Sequence, residues 1–210
     1  ACAGITDADQ EAAGAANAAA QSASSSAAPQ SIAPAQAGGP LIANARQLTF
    51  EGLRAGEGYF SADGSQLIFQ SEREADNPFY QMYLMDRESG DVRRVSPGYG
   101  KTTCGWIRPD KKRVIFASTQ DDPEARKKMA DEIAFRKSGQ TRRYAWDYDA
   151  TYDIQEYDLA TGKYVNLTKT PGYDADGAYS PDGQRLVVSS NRAVDGRALT
   201  EKAKAQLEPH

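Results

Sequence analysis

Histidine is nearly absent from this 210-residue chain, since the only one is the terminal His210. A Ser-His-Asp or Cys-His catalytic arrangement needs a histidine inside a packed site, and histidine-based zinc sites need it as a ligand. The sequence also contains no Gly-Lys-Ser/Thr phosphate loop and no dinucleotide glycine fingerprint. We therefore expect no catalytic residue, no metal site and no cofactor here, and any active site would be made of carboxylates or lie outside these residues.

An excess of positive charge and long apolar runs are also lacking. The formal net charge is -4 and the isoelectric point is about 5.2, which argues against a nucleic-acid partner because such proteins carry a basic face. No stretch approaches the roughly 18 consecutive apolar residues of a transmembrane helix. Any association with a membrane is therefore expected through an anchor at one end of the chain.

Cysteine is limited to Cys2 and Cys104. Cys2 stands at the start of the sequence and Cys104 at a predicted strand entry, so we expect no structural disulfide. A lone cysteine in a strand is most often a small buried hydrophobic residue, which is the interpretation adopted for Cys104.

What the chain does contain is a repeated motif, a turn followed by a short apolar strand. Its clearest copy is residues 179–192, Y-S-P-D-G-Q-R-L-V-V-S-S-N-R, in which Gly183 is predicted to take a positive φ. Residues 60–73 match it position by position, and residues 107–119 form a weaker copy with Lys111 in place of the glycine. That replacement predicts a turn that is strained or of another type, so that Gly183 demands a positive φ and Lys111 does not.

The spacing of the copies indicates one insertion. Asp63 and Asp110 lie 47 residues apart, whereas Asp110 and Asp182 lie 72 apart. A second marker, an alternating strand running into a glycine-containing turn, occurs at residues 80–86 and again 72 residues later at 152–158. One insertion of 25 residues before the second marker explains both differences.

A period near 47 residues with several short strands per unit is typical of a β-propeller blade. Residues 61–73, S-A-D-G-S-Q-L-I-F-Q-S-E-R, and the corresponding residues 180–192 resemble the WD-like propeller repeats of the TolB family of periplasmic proteins. Such repeats also occur in the propeller domains of prolyl-oligopeptidase-like enzymes. The resemblance covers roughly residues 45–192 and implies an all-β fold, a partial β-propeller of four-stranded blades. Because propellers host many unrelated activities, it implies a fold rather than a function.

The chain is predicted to have two regions. Residues 1–44 hold hardly a large apolar side chain, which predicts a disordered tether rich in alanine, serine and proline. Residues 45–210 are predicted to form about two and a half blades, with residues 46–49 starting the first blade, residues 51–58 forming a loop over it, and a short helical insertion in blade two at about 121–147. Because two and a half blades cannot close, we expect a fragment whose remaining blades come from sequence outside it.

The start of the sequence predicts a lipid anchor. Ala1-Cys2-Ala3 looks like the end of a bacterial lipobox, in which the cysteine receives the lipid after signal-peptide cleavage. A flexible segment directly after it suits a lipoprotein, and Ala3 resembles the class sorted to the outer membrane. We expect a periplasmic, outer-membrane-anchored lipoprotein with lipidation at Cys2; the alternative is an arbitrary boundary next to an ordinary cysteine.

Four side chains before the turns are candidates for binding a partner. They are interpreted as equivalent positions of the first and third blades, which in propellers tend to face the central channel or the upper loops. These candidates are Glu57, Tyr59, Tyr173 and Asp174.

A basic-aromatic string after the predicted helix is a second candidate. Arg142, Arg143 and Trp146 are residue types enriched at interface hot spots. The alternative is that Trp146 and Tyr148 pack the inserted helix against the blade. Nearby acidic clusters at residues 147–156 and 174–176 offer the oxygen atoms that calcium binds, but their spacing does not match a calcium loop, and aspartates bonding turn backbone are the interpretation adopted.

Three functions follow as hypotheses. The preferred one is a non-catalytic cell-envelope propeller that binds a protein or peptide partner through its loops. The alternative is the N-terminal propeller domain of a prolyl-oligopeptidase-like or amidohydrolase-like enzyme whose catalytic domain lies outside this sequence. The third is a carbohydrate-binding or lyase propeller that uses carboxylates and a metal.

Overall fold

A computed structural model describes residues 45–143, 148–169 and 171–191. The chain divides into two units, Ala1–Phe50 and Glu51–His210. The described residues of the first unit, 45–50, form no helix or strand, and everything that follows concerns the second. The predicted tether lies outside the described residues and stays a prediction.

Within the described residues, ten strands form three antiparallel sheets. Blade 1 contains β1 (Arg54–Phe60), β2 (Gln66–Glu72), β3 (Gln81–Asp86) and β4 (Val92–Arg94). Blade 2 contains β5 (Thr102–Ile107), β6 (Arg113–Ser118), β7 (Asp153–Asp158) and β8 (Tyr164–Asn166). The described strands of blade 3 are β9 (Asp174–Tyr179) and β10 (Leu186–Ser190). In each four-stranded sheet neighbours in sequence are neighbours in space, which is the meander of a propeller blade and confirms the predicted partial propeller.

The first strand of blade 1 differs from its prediction. The strand is β1 (Arg54–Phe60), which pairs with β2 from Arg54 opposite Glu72 to Phe60 opposite Leu67, whereas residues 46–49 form no strand and the predicted loop at 51–58 overlaps it. Two glycines and an inserted residue between them interrupt the apolar alternation, so the segment lacks the period of a strand.

The three turns between first and second strands share one geometry. Gly64, Lys111 and Gly183 have φ of 70°, 56° and 68°, and each donates its backbone N–H to a carbonyl three residues earlier at 2.8 Å. The prediction of a different turn at Lys111 was therefore wrong. Lys111 adopts the same left-handed conformation as the two glycines although it has a Cβ. The reason is that the hairpin of blade 2 has the same strand register as the hairpins of the other two blades.

Blade 2 is buried on both faces, which explains its continuous apolar run at residues 114–117. Val114 and Phe116 join the core against blade 1, and Ile115 and Ala117 join the core against blade 3. All four side chains are fully buried. The blades therefore stack face to face through two apolar layers.

The predicted insertion of blade 2 contains helix α1 (Ala125–Lys137) between β6 and β7. Just before it, Asp122 Oδ1 accepts the backbone N–H of Glu124 at 2.9 Å. Lys128 then bridges two carboxylates, with Nζ 2.7 Å from Asp122 and 2.8 Å from Asp149. The helix is thus held to the blade by buried ion pairs as well as by Met129. In the described parts of the chain no helix is long and apolar enough to cross a membrane.

Candidate channel-facing site

Each first strand carries one residue in the left-handed region of backbone conformation. Glu57, Cys104 and Asp176 have φ of 37°, 54° and 52°, and each stands six residues before the aspartate of its turn. The strand pairing shifts register at all three places, so each residue belongs to a β-bulge. Such strain in non-glycine residues concentrates at functional sites, which directs attention to these three.

A glycine follows each of the three residues, and at two of them the neighbouring blade leaves little space for a side chain. A Cβ at Gly105 would meet Ile68 Cδ1 and Met82 Sδ of blade 1 at 2.8 Å. A Cβ at Gly177 would meet Ile115 Cδ1 of blade 2 at 3.0 Å. At these two bulges the adjacent blades are therefore in close contact.

The three bulges bring their side chains together, although they are far apart in sequence. Strand β5 packs between β1 and β9, and the innermost strands of a propeller line its channel. The Sγ atom of Cys104 lies 2.7 Å from Asp176 Oδ1 and 3.4 Å from Glu57 Oε2. We call Glu57, Cys104 and Asp176 the channel-facing cluster.

The cluster keeps its thiol protonated. Burial, followed by the hydrogen bond to Asp176 and the charge of Glu57, raises the pKa of Cys104 far above that of a free thiol. Reactive cysteines have the opposite surroundings, because positive charge lowers their pKa. Cys104 therefore serves as a hydrogen-bond donor. It is half-buried and bonded to carboxylates, so the interpretation as a buried hydrophobic residue was wrong.

A pocket of about 190 Å³ opens beside the cluster. Its aromatic wall is formed by Tyr59 and Trp106, whose ring centroids lie 5.0 Å apart. Asp176 and Cys104 line its polar side, and Val187 contributes an apolar edge. Burial and then the charge of Glu57 raise the pKa of Tyr59, so its hydroxyl stays neutral. The pocket combines the carboxylate of Asp176, a neutral donor and an aromatic surface, and Glu57 lies next to it across Cys104.

The predicted equivalence of Glu57 and Tyr59 with Tyr173 and Asp174 was wrong, because the first strands of blades 1 and 3 were aligned in the wrong register. The counterpart of Glu57 in blade 3 is Asp176, as the bulges show. Asp174 is fully buried and its backbone N–H bonds to Tyr152 O at 3.0 Å. It therefore lies beneath the surface, while Glu57 and Tyr59 border the pocket and its cluster.

Tyr173 belongs to an aromatic group at the other end of the blades. Its ring stacks on Tyr148 at 5.4 Å and meets Tyr152 edge-on at 5.6 Å. Tyr148 therefore packs on Tyr173, the residue before β9. Its hydroxyl accepts a bond from Asn191 Nδ2 at 2.9 Å.

The basic-aromatic string is separated from the channel-facing cluster. Arg142 pairs with Glu132 of α1 at 2.5 Å and lies over the ring of Phe135 at 4.5 Å. Arg143 is exposed. Trp146 and Cys2 fall outside the described residues, so their assignments stay predictions.

In the cluster at residues 147–156 that was considered for calcium, the described carboxylates are bonded to other protein groups. Asp149 is bonded by Lys128, and Asp153 accepts bonds from Asn166 and Thr168. Glu156 pairs with Arg113 at 3.0 Å. Over the described ranges, no group of three histidine, cysteine or acidic side chains is placed to hold a metal ion.

Cys104, Trp106 and Asp176 were missed by inference from the sequence, although a signal for them exists. Aligning the three repeats on their turn aspartates gives Glu-Gly-Tyr at residues 57–59, Cys-Gly-Trp at 104–106 and Asp-Gly-Ala at 176–178. The shared central glycine marks the bulge. The residue before it is the one that reaches the cluster.

Comparison with known proteins agrees with the strand topology. No family model matches the chain. It is 28% identical over 147 residues to a Bacillus subtilis protein described as an uncharacterized peptidase, YuxL. The match covers 63% of this chain and 21% of that protein. Solved structures similar to it include TolB from Acinetobacter baumannii, with 22% identity, a TM-score of 0.48 and coverage of 73% of this chain and 31% of that one. Putative TolB from Agrobacterium tumefaciens has 20% identity, a TM-score of 0.48 and coverage of 69% and 41%.

The four-stranded meander blades define a β-propeller. The chain spans about a fifth of the length of the curated relative and less than half of the two TolB structures.

Proposed function

We propose that this chain is part of a periplasmic, cell-envelope β-propeller that binds a protein or peptide partner without catalysing a reaction. The observation that supports the proposal is the channel-facing cluster, in which three blades each contribute a polar side chain beside an open aromatic pocket. Its thiol is protonated, which suits recognition and not nucleophilic attack. Such a mixed polar and aromatic surface is typical of binding sites.

Crosslinking in intact cells tests this function. A photoreactive phenylalanine analogue is introduced at Val187, which is exposed on the pocket edge, or at Val165, which is also exposed and lies on the outer strand β8. We expect a discrete adduct from position 187 that is lost in the Glu57→Gln, Asp176→Asn double variant. Equal adducts from both positions, or none from 187, would reject the proposed binding surface.

Anchoring through Cys2 is the second part of the proposal, and its support is the sequence Ala1-Cys2-Ala3 followed by a long segment of small residues. In cells fed an alkyne fatty acid, label and membrane sedimentation should be lost in Cys2→Ser and kept in Cys104→Ser. Label that persists without Cys2 would exclude this anchor.

A second candidate function is that of a propeller belonging to a peptidase, which the similarity to the Bacillus subtilis protein favours. A fluorophosphonate probe modifies the activated serine of such enzymes. Labelling of the natural polypeptide, together with hydrolysis of a fluorogenic peptide, would support this candidate. A natural polypeptide that is unlabelled and inactive would support the binding function.

A further inference from the structure

We infer that the pocket beside the channel-facing cluster binds the basic side chain of an arginine or lysine from the partner. This inference rests on the proposed binding function and names the chemistry that the site recognises.

Charge is the first support. Glu57 and Asp176 approach the same thiol from opposite blades, yet within residues 45–143, 148–169 and 171–191 neither has an arginine or lysine as an ion-pair partner. Other carboxylates that face strands are neutralised; Glu72, for example, contacts Arg54 and Arg136 at 2.8 and 2.6 Å. Two neighbouring carboxylates without a cation favour the binding of one.

The aromatic wall is the second, independent support. The face of a tryptophan or tyrosine ring attracts a guanidinium or ammonium group, most strongly where water is partly excluded. The ring centroids of Tyr59 and Trp106 lie 5.0 Å apart, and both residues line the pocket together with Asp176. A cation in the pocket would therefore meet carboxylate oxygens and aromatic rings together.

Size is the third support. A pocket of about 190 Å³ is smaller than the roughly 300–1,000 Å³ of sites for drug-sized ligands, so it suits one side chain. Ala178 and Val187 line the apolar part, where the methylene groups of a long basic side chain would pack while its charged end reaches Asp176. A negatively charged or short polar side chain would satisfy neither part.

The experiment titrates the intact chain with n-butylguanidinium chloride and follows the fluorescence of Trp106 in a Trp146→Phe background. We expect a saturable change that n-butanol, which has a similar stem and no charge, does not produce. Asp176→Asn should weaken the interaction about tenfold, because a hydrogen bond to a charged group is lost, and Glu57→Gln should weaken it less. Glu88→Gln removes an exposed carboxylate of the distant β3–β4 hairpin and should leave binding unchanged.

Two outcomes would overturn the inference. One is the absence of a saturable response in a chain whose circular dichroism is native. The other is equal binding by the wild type, Asp176→Asn and Glu57→Gln, all of them folded. Failure of the partner function is distinguishable, because guanidinium binding would persist while position 187 gave no adduct in cells. A position-187 adduct that depends on the carboxylates, without guanidinium binding, would retain the partner site and reject its basic ligand.

Discussion

The thiol of Cys104 lies 2.7 Å from the carboxylate of Asp176, although the two residues are 72 positions apart and belong to different blades. The contact ties blade 2 to blade 3 at the inner strands. It also places the thiol between two carboxylates. Because their negative charges disfavour a thiolate, the half-buried thiol stays neutral and acts as a hydrogen-bond donor.

Removing the charge of Asp176 should make Cys104 more reactive. In a Cys2→Ser background, Asp176→Asn removes a carboxylate that raises the thiol's pKa, so the thiolate fraction at pH 8.5 should rise, by about tenfold for each unit that the pKa falls. The rate of alkylation by iodoacetamide, measured by mass spectrometry, should therefore increase several-fold. An unchanged rate would show that burial alone controls the thiol, and Glu88→Gln is the matched control.

Adding a methyl group at Gly105 should destabilise the contact between blades 1 and 2. The new Cβ would lie 2.8 Å from Ile68 Cδ1 and Met82 Sδ, and such overpacking costs about 1–3 kcal/mol. Urea unfolding of Gly105→Ala should show this loss. Gly56→Ala is the control, because the nearest atom to its Cβ is Gln70 Nε2 at 3.8 Å. Ile68→Val, which removes Cδ1, should reduce the loss in a double-mutant cycle; a cycle without coupling contradicts the proposed clash.

Lys111→Gly should stabilise the protein. Lys111 has a φ of 56°, and glycine relieves the resulting strain of roughly 1 kcal/mol. The variant loses the ion pair with Asp63 at 2.5 Å, but both side chains are more than one-third exposed, and such pairs contribute little. Lys111→Ala keeps the strain and loses the pair, so it should be less stable than Lys111→Gly. A Lys111→Gly variant that is less stable than the wild type in thermal unfolding would show that the ion pair outweighs the strain, and one that is no more stable than Lys111→Ala would exclude the strain.

Lys128 should be the residue that holds α1 on the blade. Lys128→Met leaves the nearly buried Asp122 without its cation and Asp149 with only Lys101, at 3.5 Å, which should cost about 1–3 kcal/mol. Hydrogen exchange of α1 should accelerate accordingly. Lys127→Met, one residue earlier, breaks only an exposed pair with Asp131 and should change exchange little. Similar exchange in both variants would assign the attachment of the helix to its other contacts, such as Met129 and the Arg136–Glu72 pair.

Acid should release the same helix. Burial opposes the charge of Asp149, but hydrogen bonds from Lys128 and Thr151 outweigh it, and the pKa of Asp149 is lowered from its usual 3.8. Because the pKa of Asp149 is lower in the folded protein than in the unfolded chain, its contribution to the free energy of unfolding is fully present above the unfolded-state pKa. That contribution is lost as the pH falls through the folded-state pKa. The protection of the α1 amides against hydrogen exchange, relative to their intrinsic rates, should fall below about pH 4 in the wild type. In Asp149→Asn this protection should depend less on pH. An identical acid response in the variant would exclude Asp149 as its source.

The sequence allowed most of the fold to be predicted, because the turn aspartates and the apolar runs after them are local signals. Strands such as β6 (Arg113–Ser118) and β10 (Leu186–Ser190) lie where those runs predict them. Strand β1 was missed because Gly56, the bulged Glu57 and Gly58 interrupt the period of two that identifies a strand. A β-bulge is defined by the pairing with a neighbouring strand, so it cannot be recognised from the sequence of one strand alone.

The site was less accessible to prediction, because it depends on the contact of blades far apart in sequence. Glu57 and Tyr59 were chosen as candidates from the sequence, and they border the cluster and the pocket, but Cys104 was interpreted from its residue type alone. Its hydrogen bonds span 47 and 72 residues, and no local pattern encodes them. Only the offset of six residues from each turn aspartate relates the three members.

The bulges separate the chemistry of the channel from the architecture of the blade. An extra residue in the inner strand leaves the pairing of the outer strands unchanged. The side chain of this residue is therefore not constrained by the strand pairing of the blade. Within this one chain the position holds a glutamate, a cysteine and an aspartate, while the glycine beside it never varies. The lining of the channel is thus modular: one substitution per blade can set its charge, its donors or its size without a new fold.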